Sequence, residues 1–153
     1  MKANKIIHIV ATILAISFST AAVAAGSDDY APTAAKPAAY NAAVGMIKDK
    51  NYADAIIQLE AAEKAAPKDA DVQNLLGFAY RKSGQLNKAT EHYNAALTLD
   101  PKHKGALEYQ GELFLMLGDK ASAEKNLQKL DKICWLGCSE LDDLRTAIRN
   151  HQP

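Results

Sequence analysis

Residues 70–103 read ADVQNLLGFAYRKSGQLNKATEHYNAALTLDPKH. The stretch divides into two helical segments, expected over about 70–82 and 86–99, parted at Gly84 and closed at Pro101. Gly84 supplies the left-handed residue that ends the first helix. Pro101 cannot continue the second and sets up the start of the next helix. Gly77 lies inside the first helix, where glycine costs about 1 kcal/mol relative to alanine. That cost makes sense where another helix crosses almost in contact.

Working outward, the same features return at a shift of 34 residues. Pro67 pairs with Pro101, Gly84 with Gly118, and Gly77 with Gly111. Ala55, Ala89 and Ala123 share the period, as do Leu59, Tyr93 and Leu127, and Ala62, Ala96 and Leu130. The alanines at 55, 89 and 123 fall early in the second helix of each unit, where a larger side chain would push the two helices apart.

These residues resemble three tetratricopeptide repeats over residues 36–69, 70–103 and 104–137. The middle one carries Leu76-Gly77, Tyr80, Gly84, Ala89, Tyr93, Ala96 and Pro101. The first has Ala42-Ala43 for Leu-Gly, Met46 for the tyrosine and Lys50 for the inter-helix glycine, but keeps Tyr52, Ala55, Leu59, Ala62 and Pro67. The third keeps Gly111, Phe114, Gly118, Ala123 and Leu127, with Trp135 in place of the proline. The resemblance implies an all-α, right-handed superhelical stack of about three helix-turn-helix repeats. Its remaining helices are expected near 37–49, 52–65, 104–117 and 120–134. A stack needs a terminal helix with one solvated face, and residues 139–150 supply a C-terminal capping helix. Ser139 is its expected N-cap, with Leu141, Leu144 and Ile148 as the apolar stripe. The chain also resembles small exported proteobacterial repeat proteins with a Cys-x-x-Gly-Cys tail element.

The N-terminus reads as an address. Lys2 and Lys5 precede an apolar run from Ile6 to Phe18, and Ala22-Val23-Ala24 or Val23-Ala24-Ala25 offers a small–x–small cleavage site. The run is shorter than the roughly 20 residues that span a bilayer. Residues 1–25 are therefore expected to be a removed signal peptide, 26–37 a flexible linker and 38–153 the repeat domain, periplasmic or secreted. Stable membrane insertion after cleavage is not expected. Without the leader, 16 basic residues stand against 18 acidic ones. That balance argues against a nucleic-acid or anionic-membrane binder, which needs a clear basic excess. With 29 alanines and 7% aromatics, the composition suits closely packed helices better than a sheet.

Candidate chemistry is sparse. Cys134 and Cys138 are the only thiols; their C-x3-C spacing is neither a thioredoxin-like C-x-x-C nor a haem motif. In an oxidising compartment a structural disulfide is the expected state. A thiol-redox or metal-handling role, with His151 as a third ligand, is the alternative. His92 and His103 have no ligand partner at i+3 or i+4 and are expected at the surface. No catalytic motif, cofactor fingerprint or metal set is found, so the reading is a non-enzymatic module without a cofactor.

The resemblance places a ligand groove on the first helix of every repeat. Its positions fall on Tyr40, Val44, Ile47 and Lys48, then Asn74, Phe78, Arg81 and Lys82, then Glu108, Glu112, Leu115 and Met116. This face mixes apolar side chains with the basic pair Arg81 and Lys82, expected to be solvated and to favour an apolar anchor beside an acidic feature. The family's carboxylate clamp would need lysines, asparagines and an arginine at Tyr40, Val44, Leu75, Gly105 and Tyr109, and none is there. The expected partner is a protein or peptide segment. Homo-oligomerisation through the repeat ends is a competing reading.

Overall fold

A computed structural model describes residues 35–151. The expected signal peptide over 1–25 and the part of the expected linker up to residue 34 lie outside the described residues. Seven helices follow one another: α1 (Ala38–Lys48), α2 (Tyr52–Ala65), α3 (Ala70–Lys82), α4 (Leu86–Leu99), α5 (Lys104–Met116), α6 (Lys120–Ile133) and α7 (Ser139–Asn150). There is no strand among the described residues. The helices pair as α1 with α2, α3 with α4 and α5 with α6, each pair packs on the next, and α7 closes the stack against α5 and α6. No described helix is long and apolar enough to cross a membrane.

The turns obey the period. Residues 50, 84 and 118 all have positive φ, at 59°, 76° and 77°. Gly84 and Gly118 take this conformation without a Cβ penalty, whereas Lys50 bears it. Lys50→Gly is expected to raise stability by about 1 kcal/mol, the left-handed penalty less the added freedom of the unfolded chain. A urea titration followed by circular dichroism would show it as a higher midpoint at unchanged slope.

Helix starts are held by side chains that satisfy free backbone N–H groups. Asn51 accepts from the Asp54 N–H, Asp69 from those of Asp71 and Val72, and Asp119 from that of Ser122. His103 does the same for α5: its Nδ1 accepts from the Ala106 N–H at 3.1 Å while Nε2 pairs with Asp71 at 2.9 Å. The expectation of a surface histidine is corrected here, because the side chain is only 12% exposed and is held at both ring nitrogens. His92 is also tied in. Gln73 donates its Nε2 to Glu63 at 2.8 Å, so its Oε1 must accept from His92 Nδ1, also at 2.8 Å. The expected Ser139 cap is corrected too. Cys138 stands at the cap position of α7 without a side-chain bond, and Ser139 Oγ reaches Glu140 instead.

The core explains the glycines inside helices. A Cβ on Gly77 would sit 2.6 Å from the ring of Tyr93, which is fully buried. A Cβ on Gly111 would sit 2.6 Å from Leu144, the fully buried centre of the α7 stripe. Close approach is what the lost helix propensity secures.

Cys134 and Cys138 are joined, with Sγ–Sγ 2.10 Å. Closing so short a loop contributes about 2 kcal/mol on loop-length scaling. Cys134 is turned into the core, and Trp135 and Leu136 loop outward, 80% and 81% exposed. Trp135 therefore does not cover the end of the core. At the other end, Lys36 bonds Asp69 at 2.5 Å and Asp71 at 2.7 Å, tying the last residues before α1 to the domain.

Candidate functional site, the concave groove

The twelve groove positions separate into three groups. Lys48, Lys82 and Met116 are exposed. Tyr40, Val44, Ile47, Phe78 and Glu112 are partly buried along the face of α1, α3 and α5. Asn74, Arg81, Glu108 and Leu115 are buried. Leu115 belongs to the core under α7, packed with Leu107, Leu130 and Leu141, and lines no groove. Phe78 is partly buried in a row of rings, between Tyr52 at 6.2 Å and Tyr109 at 5.0 Å.

Arg81 overturns the expectation of a solvated cation. It is 7% exposed, with Nη2 at 2.6 Å from Glu112 Oε2 and Nε donating to the Tyr93 hydroxyl at 3.3 Å. Its guanidinium lies over the rings of Phe78 and Tyr109, at 5.5 and 5.7 Å from their centroids. The side chain therefore links the core tyrosine to the groove floor, and its charge is matched by Glu112. Of the expected basic pair, only Lys82 remains exposed, its Nζ 5.8 Å from the Phe78 ring.

With Arg81 committed, the sign of the groove changes towards its C-terminal end. Glu108 is 7% exposed and has no hydrogen bond or ion pair among the described residues. Burial pushes its carboxyl up to about 8, and the charges of Glu112, Asp143 and Glu140 push the same way against Arg81. Asn74 occupies the same repeat position one period earlier, and its buried Oδ1 has no partner among the described residues. Asp143 and Glu140 come from α7, which the sequence presents only as a cap. Their signal was the cap's own geometry, since a helix that follows a complete repeat takes the place of another first helix.

Glu108 also ties stability to pH. The unfolded chain releases this proton near the usual glutamate value of about 4, the folded chain only near 8. Stabilisation from the bound proton is complete below pH 4 and is lost as pH rises towards 8. Wild type should lose urea resistance between pH 5 and pH 8. Glu108→Gln should remove most of that slope and be the more stable protein at pH 8.

The groove has no nucleophile paired with a base. No three His, Cys, Asp or Glu side chains gather as a metal site among the described residues.

Known proteins match this architecture. The tetratricopeptide repeat family model matches residues 70–103. Anaphase-promoting complex subunit 3 of Dictyostelium discoideum is 36% identical over 66 residues, 43% of this chain but only 7% of that protein. The solved structure of MamA from Desulfovibrio magneticus RS-1 is 31% identical, with TM-score 0.61 over 66% of this chain and 57% of that one. The type III secretion chaperone SycD of Yersinia enterocolitica, solved with a peptide of the translocator YopD, is 22% identical with TM-score 0.64. That match covers 74% of this chain and 86% of SycD, and at such identity the likeness is one of fold. The 34-residue period, the family match on the middle repeat and the shared helical stack together give this chain an all-α stack of tetratricopeptide-type repeats.

Proposed function

We propose that the chain is an exported, non-enzymatic interaction module that holds a protein or peptide segment on the concave face of α1, α3 and α5. The observation that carries this reading is the partly buried ring row of Tyr52, Phe78 and Tyr109, on a face that also holds the buried Asn74 Oδ1, which has no partner among the described residues. Aromatic anchors on one face with an unsatisfied polar atom suit recognition of a segment with both apolar and polar contacts. SycD, solved with a translocator peptide, supports the reading as an instance of this stack accommodating a peptide. Export rests on the leader: the secreted protein should begin at Ala25 or Gly26, and an intact mass retaining residues 1–24 would refute it. A scaffold role in envelope assembly is the setting this address favours.

The test uses exposed residues, so that folding is not in question. A Lys82→Glu, Met116→Glu double variant should keep wild-type circular dichroism and lose capture of its partner from an envelope extract. A loss of about 1–3 kcal/mol in affinity is expected if the two contacts are desolvated in the complex. Equal capture by both proteins would move the binding surface off the groove.

A further inference from the structure

We infer that a cleft between α4, α5 and α6, outside the groove, binds a small organic anion carrying two or more phosphate or carboxylate groups. Asn94 of α4, Gln110 and Phe114 of α5, and Lys125, Lys129 and Lys132 of α6 line it, around a volume of about 420 Å³. That volume falls within the roughly 300–1,000 Å³ of small-molecule sites. None of the twelve groove positions takes part, so this site stands or falls independently of the groove.

Beneath the cleft runs a chain of amides whose direction is fixed. Asn126, 3% exposed, has its Nδ2 at 3.1 Å from the Leu107 carbonyl, which can only accept. The same nitrogen donates to Gln110 Oε1 at 3.0 Å. The Gln110 nitrogen therefore faces Asn94 and donates to its Oδ1 at 2.8 Å. Asn126 spends both of its N–H groups inside the protein. Gln110, only 4% exposed, keeps one N–H without an acceptor among the described residues, and Asn94 Nδ2 keeps both of its own. A buried donor left unpaired is costly. An ionised phosphate or carboxylate offers acceptors alone and matches this surplus of donors.

The rim supplies charge. Lys125, Lys129 and Lys132 recur at i, i+4 and i+7 on one face of α6, a row roughly 10 Å long at 1.5 Å per residue. All three are exposed, and none forms an ion pair among the described residues. Asp131, in the same stretch, is instead within 3.6 Å of Arg145 on α7. The repeat does not demand these lysines, because the same positions one period earlier hold Glu91, Ala95 and Thr98. Anionic groups spread along a ligand engage such a row better than a single ion does. Partly buried Phe114 gives the body of that ligand an apolar surface. The chain as a whole has no basic excess, so a long polyanion would gain nothing outside the cleft, and a compact ligand is the better match.

The probes are fructose bisphosphate, citrate and uncharged fructose, each titrated into uniformly 15N-labelled protein at constant ionic strength. At least one of the two anions should shift the side-chain amide signals of Asn94 and Gln110 and the backbone amides of Lys125, Lys129 and Lys132, saturating by about 1 mM. Tighter binding of the bisphosphate assigns the site to phosphate esters, and tighter binding of citrate assigns it to polycarboxylates. Fructose should leave these signals unmoved. Lys129→Gln, Lys132→Gln changes two exposed residues, and should keep the wild-type melting temperature while weakening the anion about tenfold or more. Lys102→Gln, Lys104→Gln removes the same charge from exposed residues that do not line the cleft, and should bind as wild type does. No shift at the cleft with either anion, equal shifts with fructose, or equal weakening by the two lysine pairs would each overturn the inference.

Discussion

Arg81→Glu should cost the domain about 3–5 kcal/mol, the range for removing one partner of a buried ion pair. A fall in Tm of roughly 15 °C would accompany it for a domain of this size. Three losses coincide in that one change. Glu112 keeps its charge without its partner, the Tyr93 hydroxyl loses the donor at 3.3 Å, and the Phe78 and Tyr109 rings lose the cation over them. The new carboxylate also lands among Glu108 and Glu112, where charge is already crowded. Lys82→Glu, one residue along and exposed, should stay within about 0.5 kcal/mol of wild type. Thermal melts of the two single variants decide the matter, and equal melting temperatures would show that Arg81 is free in solution.

Leu144→Ala should cost about 3–4 kcal/mol, within the range for a fully buried leucine. The side chain is 0% exposed and fills the space over Gly111 with Leu107, Leu130 and Leu141 around it. Stack proteins are stabilised by nearest-neighbour interfaces, so α5 and α6 should fray with α7 while the first two repeats persist longest. Gly111 provides an internal check. Gly111→Ala alone forces a methyl to within 2.6 Å of Leu144, an overpacking cost of about 1–3 kcal/mol against about 1 kcal/mol of gained helix propensity. In the double variant that methyl enters the space the leucine has left. The combined loss should then be smaller than the sum of the single ones, and strict additivity in urea titrations would refute the contact.

The helices were legible because their signals are local and repeated. Gly77 and Gly111 announced close approach, and Gly84 and Gly118 announced left-handed turns, each visible within one period of the chain. The groove positions were legible as positions but not as chemistry. Whether Arg81 is solvated depends on Glu112 in the next repeat and on Tyr93 in the paired helix, and neither contact can be inferred from spacing along one helix face. His103 was hidden for the same reason, since its second partner, Asp71, lies at the start of α3, one repeat earlier. Trp135 is misplaced by the repeat pattern, which puts a proline at its position. Once Cys134 is turned inward and joined to Cys138, the residues between them have nowhere to go but out.

That outward loop governs what a spectrometer sees. Trp135 is the only tryptophan in the chain, and its indole is already 80% exposed in the folded state. Its emission should lie at the red edge for native and unfolded protein alike, and a soluble quencher should reach it equally well in both. A melt followed by tryptophan fluorescence would trace a nearly flat line through a cooperative transition, and a destabilised variant would pass as intact. Absorbance of the tyrosines, with Tyr93 fully enclosed and Tyr80 3% exposed, carries the missing signal.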